Sequence, residues 1–172
     1  MTWNGILYIM DKQRMILEES EQEDLVISAG EGDAAGLQAG GAQNADPEEA
    51  ELREELSRLV KVDGLKIRSG AMTGQVLQME NKDQQVVFSE LFLQMKVLSC
   101  TELIAEADLS NLGSLLLTTR DGFTVSMGGS ENIHAKLRSM LLTREELLRM
   151  GYRGGVINVM LPETPIYSPP GS

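Results

Sequence analysis

One histidine and one cysteine, His134 and Cys100, bound the chemistry open to this chain. A zinc site needs three or four His, Cys or carboxylate ligands, so a His-rich centre cannot be built within the chain. A Ser-His-Asp triad would have to use His134, but no Gly-x-Ser-x-Gly or other nucleophile turn is present. His134 follows the apolar Ile133, a setting that suits a surface or half-buried helix residue better than a general base. Cys100 follows an apolar run, and a buried thiol stays protonated and inert. Carboxylates are numerous, 26 in all, but number is not placement, and Glu145-Glu146 fits a solvated helix side. The acidic run 18–24 (EESEQED) lacks the ligand spacing of a calcium loop and reads as a solvated loop. The glycines of 29–45 lead to no Gly-Lys-Ser/Thr ending, so they make no phosphate loop. Ten scattered methionines serve packing rather than copper binding. The expectation is a non-enzymatic chain with no metal and no cofactor. Its rival is a small-molecule-binding domain or an enzyme using only carboxylates, which a deep acid-lined pocket would favour.

The elements that would position these residues are clearest from 115 to 167. Leu115, Leu117 and Thr119 alternate with Leu116 and Thr118, Asp121-Gly122 follows, and then Phe123 and Val125. Asp-Gly between extended runs predicts a hairpin with a two-residue turn, positive φ being required at both centres. A helix over 131–150 is expected next, with Ser130 as N-cap and Glu131 near the positive dipole end. Ile133, Leu137, Met140, Leu141, Arg144, Leu147 and Leu148 share one side of it. Arg149 and Gly151 mark its end. Gly154-Gly155 then leads into a strand over 156–161, stopped by Pro162. An apolar-striped helix between strands needs a sheet to lie on.

Upstream, a hairpin is expected from Ile6 to Leu17 around a polar turn. The low-complexity stretch 29–45 cannot build a core. A helix follows, with Asp46 as N-cap, Pro47 in the first turn, and Leu52, Leu56, Leu59 and Val60 on one narrow side. A second main helix is expected over 84–98, capped by Asp83, with Val87, Leu91, Met95 and Leu98 in one stripe. A strand over 103–109 comes after it.

The order of these pieces resembles the end of the FtsQ/DivIB family of bacterial cell-division proteins. Thr119 to Val125, Gly128, Asn132-Ile133, Lys136-Leu137, Gly151, Gly154 to Ile157 and Pro162 to Tyr167 carry the likeness. Val60 to Leu65 and Asp108 to Asn111 extend it upstream, and Asn158 stands where the family often has an acid. The resemblance implies an α+β domain: a twisted, mostly antiparallel sheet with two main helices packed on it. It implies that residues 1–172 form a single β domain, with 28–58 an inserted mobile loop plus helix. The family's transmembrane segment and POTRA domain would lie outside this chain. The implied setting is the plasma membrane, single-pass, with this domain on the extracytoplasmic side.

Function follows from the same likeness. A free sheet edge offers N–H and C=O groups to another chain. Prolines 162, 165, 169 and 170 suit either such an edge or a simple domain end. The resemblance selects the edge. It implies a divisome scaffold whose C-terminal strands bind division proteins of the FtsB/DivIC and FtsL type. Carried over by position, Leu161, Thr164, Pro165, Ile166 and Tyr167 would form that edge, with Tyr167 as an aromatic anchor.

Composition agrees with binding to protein rather than to polyanions. The hydrophobic fraction is 42% and the aromatic fraction 4%, so the core must be aliphatic. A formal charge of −11 disfavours a nucleic-acid backbone or an anionic membrane surface as partner. The longest apolar candidate span, 86–98, is too short for a bilayer and carries Glu90 and Lys96. The first apolar run meets Asp11 too early for a signal peptide.

Overall fold

The computed structural model describes residues 59–68 and 74–171, together with the backbone of three strands near the N-terminus. Those strands are β1 (Thr2–Trp3), β2 (Ile6–Met10) and β3 (Ile16–Glu21), paired antiparallel in a sheet of their own. The hairpin expected from Ile6 to Leu17 is present as β2–β3. The acidic run does not stay in a loop: Glu18, Glu19, Ser20 and Glu21 face Ile9, Tyr8, Leu7 and Ile6 across the ladder. Backbone pairing with an apolar strand outweighs the local preference of acids for solvent. The expected insert at 28–58, including the helix opened by Asp46, lies outside the described residues.

The main body is a six-stranded sheet in the order β4-β5-β6-β7-β8-β9. Its strands are β4 (Lys61–Asp63), β5 (Ile104–Asp108), β6 (Leu115–Thr119), β7 (Phe123–Gly128), β8 (Gly155–Asn158) and β9 (Ile166–Ser168). Helix α1 (Lys82–Val97) connects β4 to its parallel neighbour β5, and α2 (Ile133–Arg149) connects β7 to its parallel neighbour β8. The class is α+β, as expected, but the sheet is mixed. Parallel neighbours need a crossover, and each helix supplies one.

Helix α1 starts two residues earlier than expected. Asn81, not Asp83, is the N-cap: its Oδ1 accepts from the N–H of Asp83 at 2.8 Å and of Gln84 at 3.4 Å. Asp83 then lies in the first turn, where the helix dipole favours it. Val87, Phe88, Leu91 and Met95 are buried together with the inward residues of the sheet. At the far end Ser99 takes a φ of +53°. Its N–H donates to the Lys96 carbonyl and that of Cys100 to the Met95 carbonyl, the bond pair of a Schellman stop.

Helix α2 begins later than expected. Its N-cap is Asn132 at φ +53°, with no side-chain cap, and Ser130 precedes it in the loop. Asn tolerates the left-handed conformation that lets the chain leave β7 sharply. The end matches the sequence reading. Gly151 has φ +88°, its N–H donates to Leu148, and Tyr152 N–H donates to Leu147.

The hairpin β6–β7 is present, with a different turn. Three residues, 120–122, join the strands, and Gly122 donates to the Thr119 carbonyl at 3.0 Å. Only Gly122 has positive φ, at +91°, and Asp121 does not. The Thr119 hydroxyl closes the loop by accepting from Phe123 N–H at 3.0 Å, so the third residue is absorbed without loss of a backbone bond.

Inward residues Ile104, Ala107, Leu115, Leu117, Phe123, Val125 and Ile157 meet the helices in one core. One buried polar side chain ties the layers. Gln84 is 3% exposed. Its amide nitrogen donates to the carbonyls of Gly64 at 2.8 Å and Leu109 at 3.1 Å, and its oxygen accepts from Lys66 N–H at 3.1 Å. It thus replaces the sheet bonds that the ends of β4 and β5 lack. Gln84→Met keeps the volume but strips partners from three backbone groups. We expect it to cost about 2 kcal/mol in urea unfolding. A loss below about 0.5 kcal/mol would show that these groups find other partners.

Candidate protein-interaction edge

The candidate edge is built by the return of the chain after β8. Asn158 Oδ1 accepts from Met160 N–H at 3.0 Å, and Leu161 accepts from Thr164 N–H at 3.1 Å. These bonds turn the chain back, and β9 pairs antiparallel with β8: Val156 with Ser168, Ile157 with Tyr167, Asn158 with Ile166. The strand expected over 156–161 therefore ends at Asn158, and a further three-residue strand lies outside it. Of the expected contact residues, Ile166 and Tyr167 are on that strand. Leu161, Thr164 and Pro165 belong to the turn before it.

Which backbone groups face outward follows from the ladder. Val159 N–H donates to the Ser126 carbonyl at 2.9 Å, and Ser126 is the register partner of Asn158. In a parallel pair that arrangement points Asn158's own N–H and C=O away from β7 and toward β9. Asn158 then exchanges both bonds with Ile166, and Tyr167 turns its N–H and C=O to the outside. Outward positions alternate as Pro165, Tyr167 and Pro169. Proline carries no N–H, so Tyr167 supplies the one backbone donor of these three. Among the described residues no strand pairs beyond β9.

The side chain of Tyr167 faces the other way, into its own chain. Its ring centroid is 6.4 Å from that of Phe123, in an edge contact, and 5.3 Å from that of Tyr152, in a tilted one. Its hydroxyl donates to the Gly154 carbonyl at 3.1 Å. The ring therefore anchors β9 to the sheet, and the position's offer to a partner is its backbone. Of the candidate contact residues, Ile166 and Leu161 expose apolar side chains, at 63% and 66%.

Gly155 makes the arrangement possible. At φ +102°, an added Cβ would stand 2.6 Å from the Ser168 carbonyl oxygen and 2.8 Å from Tyr167 Cε2. Beside it, the turn of the β6–β7 hairpin is held to α2 by Arg144, whose Nη2 lies 2.8 Å from Asp121 Oδ2. Neither Asp121 oxygen, nor Arg144 Nε, makes an aligned hydrogen bond, so the tie is an ion pair. Burial pushes the Asp121 carboxyl up, but Arg144 and the Thr119 hydroxyl outweigh it and hold it below the usual carboxylate range. This explains the charged member of an otherwise apolar helix stripe.

The other candidate chemistry disperses. Cys100 is fully buried, and burial pushes its thiol up. His134 is exposed and shares a 2.7 Å hydrogen bond with Gln94 Oε1, linking α2 to α1. An open groove of about 420 Å³ runs between α2 and the turn before β9, with His134, Arg138, Leu142, Pro162, Glu163 and Pro165 in its lining. One carboxylate pair, Asp63 and Glu106, shares Lys61 at 2.7 and 3.3 Å. Interaction with Asp63, then burial, holds Glu106 above the usual range. The pair lies on neighbouring strands at the opposite end of the sheet from β9, not in the groove. Among the described residues no cluster of three metal-ligating side chains occurs, and no helix is long and apolar enough to cross a membrane.

A scan against protein-family models and a search of curated proteins both find no match.

Gly155→Ala should loosen β9 without unfolding the sheet. We expect amide exchange at Asn158 and Ile166 to rise by about tenfold or more, with β6 and β7 unchanged. Unchanged protection at both sites would mean that Tyr167 has another seat.

Proposed function

We propose that this chain is a non-enzymatic interaction domain that takes an extended segment of a partner onto the outer edge of β9. One observation carries the reading: β9 ends the sheet with the Tyr167 backbone turned outward and Ile166 exposed beside it. The setting we propose is bacterial septum assembly, as an extracytoplasmic β domain of the FtsQ/DivIB kind. The partners would be FtsB/DivIC-type and FtsL-type division proteins, and the membrane attachment would lie outside this chain. The ordered likeness from Thr119 to Tyr167 supports that setting, and an α+β body with its C-terminal strand at an edge is compatible with it.

The energetics define how such a partner would hold on. An antiparallel segment exchanges two backbone bonds with Tyr167 and can donate further to the Pro165 carbonyl, but meets no donor there. Each bond is worth about 1 kcal/mol net. Burying the exposed part of Ile166 adds about 1–2 kcal/mol. Side chains must therefore supply much of the affinity, with Ile166 and Leu161 as the apolar contacts and Thr164 and Pro165 framing the approach. The flanking prolines keep the edge from pairing indiscriminately.

The test is titration of an FtsB/DivIC-type fragment into the chain. We expect a dissociation constant in the range of about 1–50 μM, weakened about thirtyfold or more by Ile166→Glu and unchanged by Ser114→Asp on a distant loop. No binding of the unaltered chain at that concentration would count against the divisome setting. Binding unaffected by Ile166→Glu would count against the edge.

A further inference from the structure

Helix α1 is apolar on two sides. Its sheet side holds Val87, Phe88, Leu91 and Met95. Its outer side holds Val86, Leu93 and Val97, exposed by 67%, 54% and 61%. With the exposed Glu90 these positions run at spacings of four, three and four, the seam of a helix that packs against another helix. Helix α2 is the internal comparison: its exposed positions are His134, Ala135, Arg138, Leu142, Glu145 and Arg149, with Leu142 the one large apolar side chain among them.

The charges along the seam are sorted. Lys82, Ser89 and Lys96 follow one another every seven residues on one flank, all exposed. Asp83, Glu90 and Val97 follow at the same interval within the seam. That pattern opposes pairing of two copies. Side by side in the same direction, Asp83 and Glu90 would meet their own counterparts. In opposite directions, the flank of Lys82 and Lys96 would meet itself. Like charges so placed destabilise the pair.

We infer that the outer face of α1 docks an amphipathic helix of another protein. That helix presents aliphatic residues to Val86, Leu93 and Val97, a lysine or arginine to Glu90, and acidic residues alongside Lys82 and Lys96. The complementary seam spans residues 82–97, about two heptads or roughly 24 Å of helix. The face does not involve β9.

Two labelled helical peptides of three heptads test this, both with leucine along the seam. One carries lysine where Glu90 falls and glutamate on the flank facing the lysines; the other has these charges exchanged. Titrated into the full chain, the first should bind about tenfold more tightly than the second. Glu90→Lys should reverse or abolish that preference, and Leu93→Asp should remove binding of both while leaving the thermal melt unchanged. Equal affinity for the two peptides, or no binding at about 200 μM, would overturn the inference. So would self-association of the chain that Leu93→Asp abolishes, which makes a second copy the occupant. A melt lowered by Leu93→Asp would overturn it too, because the chain's own residues would then cover the face.

Discussion

The seat of one aromatic ring decides where the last strand of the sheet lies. Tyr167 lies against Gly155, reaches the Gly154 carbonyl and touches the rings of Phe123 and Tyr152. A strand of three residues between prolines has little pairing energy of its own. The half-buried ring and its hydroxyl bond fix β9 beside β8. Once the ring turns inward, the alternation of the strand obliges Ile166 to face solvent and the Tyr167 backbone to face outward. The edge proposed to bind a partner is thus a by-product of how the strand is anchored.

That anchor in turn needs a sheet whose β8 is correctly placed. Two crossover helices provide it. Helix α1 brings β5 beside β4, and Gln84 bonds the ends of both strands to the start of the helix. Helix α2 brings β8 beside β7. Lys136, almost fully buried, clamps the loop into α2 by donating to the Gly129 carbonyl at 3.0 Å and pairing with Glu131 at 2.6 Å. Arg144 holds the hairpin turn to the same helix. The layer of helices is therefore tied to the sheet by a few polar contacts set into an aliphatic core.

Much of this was legible from spacing. The alternation through Leu115–Thr119 and the glycine at 151 place the hairpin and the helix end, because period-two burial and a left-handed stop are local requirements. The helix starts were not. Ser130 and Asp83 are good caps by type, yet Asn132 and Asn81 hold those places, because the path out of the preceding loop is set by tertiary contacts. Burial of Gln84 and Lys136 carried a faint signal. Gln84, Phe88, Leu91 and Met95 share one side, as do Ile133, Lys136 and Met140, so each polar residue falls in an apolar stripe. β9 was hidden by its brevity and its prolines. The two parallel pairings were hidden because partner choice across a crossover leaves no mark on either strand. Of the candidate contact residues, Ile166 lies on β9 with its side chain exposed, while Tyr167 has its ring turned inward.

The most direct test reads the Tyr167 amide. Its hydrogen exchange, followed residue by residue with and without a saturating FtsB/DivIC-type fragment, isolates the one outward donor of the β9 edge. Strand addition predicts that this amide exchanges readily in the free chain and becomes protected on binding, while Ile166 is protected in both states. A bound complex in which the Tyr167 amide exchanges as fast as in the free chain would contradict the account.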